Sequence, residues 1–170
     1  MREFRVRRRV HLNAPIDEIF AFHADAMNLA DITPPWLDFE ILTPGVKMRV
    51  GALIDYRIKL KGMPMHWRTE ITAWEPGVRF IDTQRRGPYR KWIHEHRFTR
   101  VSSEHGEGTI VEDDVRYDVP GGALTNKLFV RPDLNKIFDF RTRKFIELFG
   151  GHEVPVGLDR TPQRSTVATT

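Results

Sequence analysis

Cysteine is absent from the 170-residue sequence, and this absence removes several kinds of chemistry together. Without thiols the chain has no disulfide, no thiolate nucleophile and no thiolate metal site, so His, Asp and Glu are its only strong metal ligands. The Gly-x-Ser-x-Gly motif of covalent hydrolases is missing, and so are the Gly-x-Gly-x-x-Gly and phosphate-binding loops of nucleotide enzymes. We therefore expect no covalent catalysis and no cofactor.

Long hydrophobic runs are absent as well. No stretch approaches the roughly 18 apolar residues of a membrane span, and the charged residues 1–9 are not followed by the apolar segment of a signal peptide. We expect a cytoplasmic protein without stable membrane insertion. The N-terminus is rich in arginine, but no aromatic stacking platform or nucleic-acid motif accompanies it. We interpret it as a solvated basic strand and predict no nucleic-acid partner.

The composition that remains is globular, with 40% hydrophobic and 29% charged residues. A chain of this length and balance fits one domain with one core. We assign residues 1–150 to that domain. Residues 151–170 follow two glycines and are small and polar, so we interpret them as a tail.

Apolar periodicity and turn residues predict a strand, two short helices, six further strands and a long helix. Pro15 marks the start of the first helix, and Pro34-Pro35 end the second. The apolar cluster Trp36, Leu37 and Phe39 either packs a corner or forms a lip over a pocket. The predicted strands span residues 4–12, 40–43, 52–61, 65–75, 79–86, 90–101 and 108–119.

The C-terminal segment 122–149 carries an apolar stripe at helical spacing. Pro132 interrupts it, so we expect a kinked helix or two helices in line. Basic residues, Arg141 among them, fall between the apolar ones and are placed on the solvent side. The stripe consists of Leu124, Leu128, Phe129, Leu134, Ile137, Phe138, Phe145, Leu148 and Phe149.

Strand register can be predicted from the turns, because paired strands must present their inward residues opposite one another. This places Asp82 opposite His94, His96 opposite Asp113, and Tyr56 opposite Thr69. The resulting pairs agree on one apolar face, which we expect to receive the C-terminal helix, whereas Trp74 falls outside. The apolar inward residues are Ile54, Tyr56, Ile58, Leu60, Met65, Trp67, Ile71, Phe80, Trp92, Phe98, Val111, Val115 and Tyr117.

The element order and two local stretches, residues 32–42 (ITPPWLDFEIL) and 86–98 (RGPYRKWIHEHRF), resemble the SRPBCC superfamily, which contains START lipid-transfer domains, the major birch-pollen allergen and polyketide cyclases. The stretches are similar to those of an uncharacterised bacterial "cyclase/dehydrase" subfamily. The resemblance implies an α+β helix-grip fold: a curved seven-stranded antiparallel sheet wrapped around a long C-terminal helix, with two short helices after the first strand. It also implies a cavity for an apolar ligand, but no particular reaction.

Six polar residues fall on the inward face: Thr69, Asp82, Gln84, His94, His96 and Asp113. Buried charges are costly unless they are paired or hydrated. One interpretation is two neutralised His/Asp pairs that only stabilise the sheet; another is a polar patch inside an aromatic ligand cavity. His94-x-His96 with one aspartate could also hold a metal ion, but this pattern is common, and we predict no metal.

We therefore predict that the protein binds a small, largely apolar ligand, such as a lipid, polyketide or aromatic compound, between the sheet and the last helix. The alternative is an acid–base cyclase or dehydrase with His94, His96 and Asp113 as catalytic residues. A partner-binding module without a cavity is a third possibility, and the oligomeric state is not predicted. The predicted ligand-binding residues are Tyr56, Trp67, Thr69, Asp82, Gln84, Trp92, His94, His96, Asp113, Tyr117 and Phe138.

Overall fold

The structure is a computed structural model that describes residues 3–103 and 106–156. Short 3-10 helices at Ala26–Leu29 and Pro35–Leu37 follow the first helix, and a π-helical segment, Asn126–Val130, joins the last two. The strands and α-helices are β1 (Phe4–Leu12), α1 (Ile16–Ala24), β2 (Glu40–Ile41), β3 (Leu53–Leu60), β4 (Met63–Glu75), β5 (Arg79–Arg86), β6 (Lys91–Ser103), β7 (Gly106–Asp118), α2 (Gly122–Thr125), α3 (Arg131–Phe149) and β8 (Gly151–Glu153).

All eight strands form one antiparallel sheet in the order β2-β3-β4-β5-β6-β7-β1-β8. The sheet is curved around the long C-terminal helix, so the predicted α+β helix-grip fold is confirmed. None of the helices within the described ranges is long and apolar enough to cross a membrane.

The sheet has eight strands rather than seven, because Gly151–Glu153 pair with β1. We had assigned these residues to the tail. Gly150 and Gly151 have φ values of 68° and 123° and turn the chain back from α3 toward the edge of β1. A Cβ atom at Gly151 would lie 1.9 Å from the His11 carbonyl oxygen, so only glycine fits this approach. Residues 157–170 of the expected tail lie outside the described ranges.

The predicted register is correct on both sides of β6: Asp82 lies opposite His94, and His96 lies opposite Asp113. Between β3 and β4 it is wrong by two residues, because Tyr56 pairs with Trp67. The turn there is Lys61-Gly62, with φ values of 51° and 79°, and not the longer turn that we expected. A shift of two residues preserves the side-chain face, so the inward set is unchanged.

Trp74 lies on the inward face of the sheet and not on the outer face, where it was predicted. A β-bulge between Ile71 and Ala73 shifts the pairing, so that Trp74 lies opposite Phe80. Its ring centroid lies 5.1 Å from that of Phe20 on α1 and 5.5 Å from that of Phe80. The bulge therefore adds a large aromatic side chain to the core.

The C-terminal helix is interrupted before Pro132, at the π-helical segment. Pro132 lies near the start of α3, where its missing N–H has little effect. Leu134, Phe138 and Phe145 of the predicted stripe are buried, but Leu124, Leu128, Phe129 and Leu148 are exposed. Because a π-helical turn has i→i+5 hydrogen bonds, residues before it rotate relative to α3. Asn126 is buried there instead.

The core consists of two apolar clusters, one at each end of the strands. Phe80, Phe98 and Phe145 belong to the first cluster, together with Val10, Leu12, Phe20, Ile54, Ile71 and Val111. The second cluster contains Val6, Ile58, Trp67, Trp92, Val115, Tyr117, Leu134 and Phe138.

A polar belt crosses β4, β5, β6, β7 and α3 between the two clusters. Its buried or half-buried members are Thr69, Asp82, His94, His96, Asp113 and Arg141.

Candidate functional site

A cavity lies between the inward face of the sheet, the segment 22–39 and α3. Its volume is about 180 Å³, enough for several water-sized groups. Most of the wall is aliphatic or aromatic, and its polar groups lie on the belt and on the segment that follows α1. Ligand sites are commonly built from an apolar wall with a few convergent polar groups.

Eight of the predicted ligand-binding residues lie on this wall: Tyr56, Trp67, Thr69, Asp82, Trp92, His94, His96 and Phe138. Tyr56 stacks on Trp67 with ring centroids 5.8 Å apart, and the Trp92 ring meets Trp67 edge-on at 5.3 Å. These three rings form an aromatic wall beside the polar belt. Their contact with a ligand remains a prediction.

Gln84, Asp113 and Tyr117 do not line the cavity, contrary to expectation. The Gln84 side-chain amide donates a 2.8 Å hydrogen bond to the Tyr89 carbonyl oxygen and thereby holds the β5–β6 turn. The Tyr117 hydroxyl donates to Asn126 Oδ1 at 2.8 Å, in the π-helical segment. Asp113 lies behind the two histidines, between the sheet and α3. Alternation along a strand predicts the face of these residues but not the element that covers them.

Asp82, His94, His96 and Asp113 form one cluster rather than two separate pairs. Although Asp82 and His94 are paired along the backbone, His94 Nε2 hydrogen-bonds to Asp113 Oδ1 at 2.8 Å, and His96 Nε2 to Asp82 Oδ2 at 2.8 Å. The other ring nitrogens also lie near carboxylates: His96 Nδ1 is 3.0 Å from Asp113 Oδ1, and His94 Nδ1 is 3.5 Å from Asp82 Oδ2. Each aspartate therefore contacts both imidazoles.

Arg141 of α3 completes the cluster. It was predicted to lie on the solvent side, but it is buried. Its Nε donates to Asp113 Oδ2 at 3.1 Å, and one terminal nitrogen lies 3.5 Å from His96 Nδ1. The residue is 8% exposed and lines the cavity. A sequence signal was present, because Arg141 lies three residues after Phe138 and four before Phe145, at the spacing of the buried stripe.

His23 is the second functional candidate that was not predicted, although it shares the helical spacing of Ile16, Ile19 and Phe20 on the buried face of α1. Its Nδ1 donates to the Ile19 carbonyl oxygen at 2.8 Å, and its ring stacks on Phe145. Burial lowers the pKa of His23 to about 3, helped by the charges of Arg141 and His96. The buried Nε2 has no hydrogen-bond partner within the described residues. A neutral imidazole with an unused acceptor therefore lies at the cavity wall.

Burial and neighbouring charges act in opposite directions on the cluster. Burial by itself would raise the pKa of Asp113, but Arg141 and the two histidines hold that pKa well below its usual range. Burial lowers the pKa of His94, with a further contribution from His96. In His96, burial is outweighed by hydrogen bonds to Asp113 and Asp82, which raise its pKa. The two imidazoles are therefore electrostatically unequal.

The cluster can donate and accept hydrogen bonds at a polar group of a ligand. Asp82, His94 and His96 also offer one ligand atom each within 4.8 Å of one another, a donor set compatible with a metal ion.

The segment after α1 forms another side of the cavity. Leu37 and Phe39 line it, together with Asn28, Leu29 and Thr33. Trp36 lies outside, is 55% exposed and meets Phe140 of α3 edge-on at 5.6 Å. Of the predicted apolar cluster, two members therefore face the cavity and one spans the gap to α3.

Three solved structures share the architecture. A Chromobacterium violaceum protein, CV1439, is 16% identical, with a TM-score of 0.64, covering 88% of this chain and 99% of its own. The ZhuI aromatase/cyclase from Streptomyces sp. R1128 is 15% identical, with a TM-score of 0.67, covering 86% and 93%. Major latex-like protein 151 from Panax ginseng is 11% identical, with a TM-score of 0.58, covering 86% and 97%. At these identities the likeness concerns the fold alone.

No curated protein matches the sequence significantly. The family described as "Polyketide cyclase / dehydrase and lipid transport" matches residues 12–145, which is more than half of the chain. These residues run from the end of β1 to Phe145 and include every cavity-lining residue of the polar belt. The chain therefore belongs to the polyketide cyclase/dehydrase and lipid transport family, within the SRPBCC superfamily.

Proposed function

We propose that this protein binds a small, ring-bearing, largely apolar molecule in the cavity between the sheet and α3, with a polar group of the ligand at the polar belt. The observation that carries the proposal is the cavity itself, which is apolar over most of its wall and carries the charged groups of the polar belt on its sheet side. A protein interior normally has few voids larger than a water molecule. A largely apolar cleft of about 180 Å³ is instead the usual form of a small-molecule site.

The wall favours a ring over a simple chain. Tyr56, Trp67 and Trp92 offer ring faces and edges to the cavity, and Phe80 and Phe138 flank the two histidines. Aromatic pairs are stabilised in stacked or edge-on arrangements by about 0.5–1.5 kcal/mol beyond the area that they bury. The family, which includes polyketide cyclases, dehydrases and lipid transport proteins, supports an apolar ligand of this general kind.

The polar belt orients such a ligand. Asp82 accepts hydrogen bonds, whereas His94 and His96 lie beside it with ring nitrogens directed at carboxylates. The Tyr56 hydroxyl stays protonated, because burial raises its pKa well above the ordinary value, and it is therefore a donor. A ligand carbonyl or hydroxyl fits this set of donors and acceptors.

The proposal is tested with the fluorescent probe 1-anilinonaphthalene-8-sulfonate and by native mass spectrometry of the purified protein. We expect saturable binding of one probe molecule per chain, competed by any ligand that co-purifies. Ile58→Trp adds bulk to the cavity wall and should weaken probe binding at least about 10-fold, a loss of roughly 1.4 kcal/mol. Lys59→Trp is the matched control, because Lys59 is exposed on the other face of β3 and should leave binding unchanged.

Equal affinities in the wild type, Ile58→Trp and Lys59→Trp would place the probe outside the cavity and overturn the proposal. Failure of the wild type to bind any probe or co-purifying molecule would do the same. Far-UV circular dichroism of both variants confirms that a loss of binding is not a loss of fold.

An acid–base cyclase or dehydrase is the alternative, and it differs from a carrier in one measurable respect. With the co-purified ligand as substrate, an enzyme would lose turnover in His96→Gln while retaining binding. A carrier would show no turnover in the wild type, which would exclude the enzyme for that ligand.

A further inference from the structure

Among the described residues, one group of side chains has the geometry of a metal centre: Asp82, His94 and His96. One ligand atom from each lies within 4.8 Å of the others. Asp82 Oδ2 is 2.8 Å from His96 Nε2 and 3.5 Å from His94 Nδ1. Ligand atoms around a four-coordinate ion, each at about 2.0–2.2 Å from it, are themselves roughly 3.3 Å apart. The two distances from Asp82 Oδ2 lie on either side of that spacing.

The three ligands belong to adjacent strands at fixed register. His94 and His96 are two residues apart on β6 and so project to the same face, and Asp82 lies opposite His94 on β5. Phe80 stacks on the His96 ring with centroids 4.1 Å apart, and Phe138 meets the His94 ring edge-on at 5.5 Å. A site on rigid strands, with its rings packed from the side, is well ordered before the ion arrives.

A second carboxylate is positioned to orient both histidines. Asp113 Oδ1 lies 2.8 Å from His94 Nε2 and 3.0 Å from His96 Nδ1, the nitrogens that are not directed at Asp82. Metal-bound histidines usually donate their other N–H to a carboxylate or carbonyl in this manner. Arg141 in turn binds the other Asp113 oxygen at 3.1 Å. Asp113 is therefore a positioning residue behind the ligands, and Arg141, which also borders the cavity, holds Asp113 in place.

The three side chains that would bind the ion face the cavity. Asp82, His94 and His96 line the cavity, whereas Asp113 does not. An ion on that side would keep coordination positions open to a molecule in the cavity, as catalytic metal sites do. With neutral imidazoles, the two aspartates and Arg141 leave the cluster with one net negative charge, which favours a cation.

We propose that Asp82, His94 and His96 bind one divalent first-row transition-metal ion at the wall of the cavity. Two nitrogen ligands and one carboxylate, with open positions beside them, suit ions such as Zn²⁺, Fe²⁺ and Co²⁺ better than Mg²⁺ or Ca²⁺, which prefer oxygen ligands. The proposal departs from our expectation of no metal. The His-x-His spacing alone was too common to support a site, whereas the aspartates on both sides of the histidines are specific.

The test uses the chelator-treated full-length protein without any apolar ligand. Titration with Zn²⁺ by calorimetry should give one ion per chain, and Co²⁺ should produce visible absorption bands from a low-coordinate nitrogen and oxygen site. Asp82→Asn and His96→Gln should weaken binding by more than the roughly 10- to 100-fold typical of an outer-shell residue, and Asp113→Asn by about that amount.

Two controls address the other histidines. His66→Gln changes a histidine that also pairs with an aspartate, Asp55, at 2.6 Å, but on the outer face of the sheet. His152→Gln removes one of two stacked histidines on the β1–β8 edge, whose ring centroids lie 5.0 Å apart and which could bind an ion at the surface. Neither substitution should change the stoichiometry or the affinity.

Absence of stoichiometric Zn²⁺ and Co²⁺ binding by the wild type would overturn the proposal, and so would undiminished binding in Asp82→Asn and His96→Gln. Loss of binding in His152→Gln alone would show that the ion binds at the surface, and it would also reject the proposed site. If a variant does not fold, the Co²⁺ spectrum of the wild type still decides whether nitrogen ligands are present. These outcomes are independent of the proposed apolar ligand, because no such ligand is present in the test.

Discussion

At the scale of single residues, the stability of the polar belt depends on Arg141. Its guanidinium lies against Asp113 in a setting where both side chains are nearly buried, 10% and 7% exposed. A buried charge that loses its partner is strongly destabilising, because the remaining charge is neither hydrated nor neutralised. Arg141 therefore stabilises the cluster by compensating the carboxylate behind the two histidines.

We expect Arg141→Met to reduce the free energy of unfolding by about 3–5 kcal/mol, because Met keeps much of the volume but removes the only full positive charge that pairs with Asp113 Oδ2 among the described residues. Urea denaturation followed by circular dichroism measures the change. Arg143→Met is the control on the same helix, since Arg143 is exposed and its replacement should change stability by no more than about 0.5 kcal/mol.

A double variant separates charge from packing. Adding Asp113→Asn to Arg141→Met removes the uncompensated charge and should recover part of the lost stability. If the double variant were less stable than Arg141→Met by the full cost of Asp113→Asn alone, the two residues would be energetically independent. The charge argument would then be wrong.

At the scale of elements, the π-helical segment determines which side chains before α3 are exposed, and β8 determines whether the edge of β1 is covered. The π-helical segment rotates the residues before α3, so the exposed side chains of Leu124, Leu128 and Phe129 are not part of the core. Beyond α3, β8 covers the edge of β1, and the Val154 amide donates to the Arg9 carbonyl oxygen at 2.9 Å. Unpaired edges of this kind favour association with other chains.

We expect a chain that ends at Gly150 to be less stable than one that ends at Val156, by about 1–3 kcal/mol, because the backbone hydrogen bonds of β8 are lost. The shorter chain should also self-associate at high concentration through the uncovered edge of β1. Urea denaturation and sedimentation velocity measure the two effects. Equal stability and equal sedimentation of the two chains would show that β8 contributes nothing to the sheet.

At the scale of the whole molecule, the cavity separates core side chains that border it from those that are packed on all sides. Phe145 belongs to the cluster that packs against α1, is 1% exposed and does not line the cavity. Phe138 belongs to the other cluster and borders the cavity. A side chain beside an empty space lacks contact atoms on that side, so it contributes less to stability than one surrounded on all sides.

We expect Phe145→Ala to cost about 3–5 kcal/mol of unfolding free energy, the usual range for a fully packed Phe. Phe138→Ala should cost less and should enlarge the cavity. Urea denaturation gives the two values, and 1-anilinonaphthalene-8-sulfonate binding reports the cavity. Equal losses for both variants, with no change in probe binding, would mean that the cavity is filled by the protein itself.

Much of this fold is predictable from local pattern. Alternation along β6 and β7, together with the turn between β5 and β6, gave the correct pairing of Asp82 with His94 and of His96 with Asp113. The two-residue shift between β3 and β4 did not change the predicted inward residues, because the side-chain period of a strand is also two. Trp74 was assigned to the wrong face because a β-bulge changes the side-chain period at one residue. No residue type near the bulge indicated its presence.

The sequence by itself determined most of the element order, the inward face of the sheet and the set of polar residues on that face, because strand alternation, helical spacing and turn residues are properties of neighbours along the chain; the helix-grip fold class came from the family resemblance. Only the tertiary structure decided which carboxylate each imidazole contacts and which face of α3 covers them. Arg141 and Asp113 are 28 residues apart in the sequence, and their contact depends on how α3 lies against the sheet. That packing added Arg141 to the His/Asp site that was already predicted on the sheet.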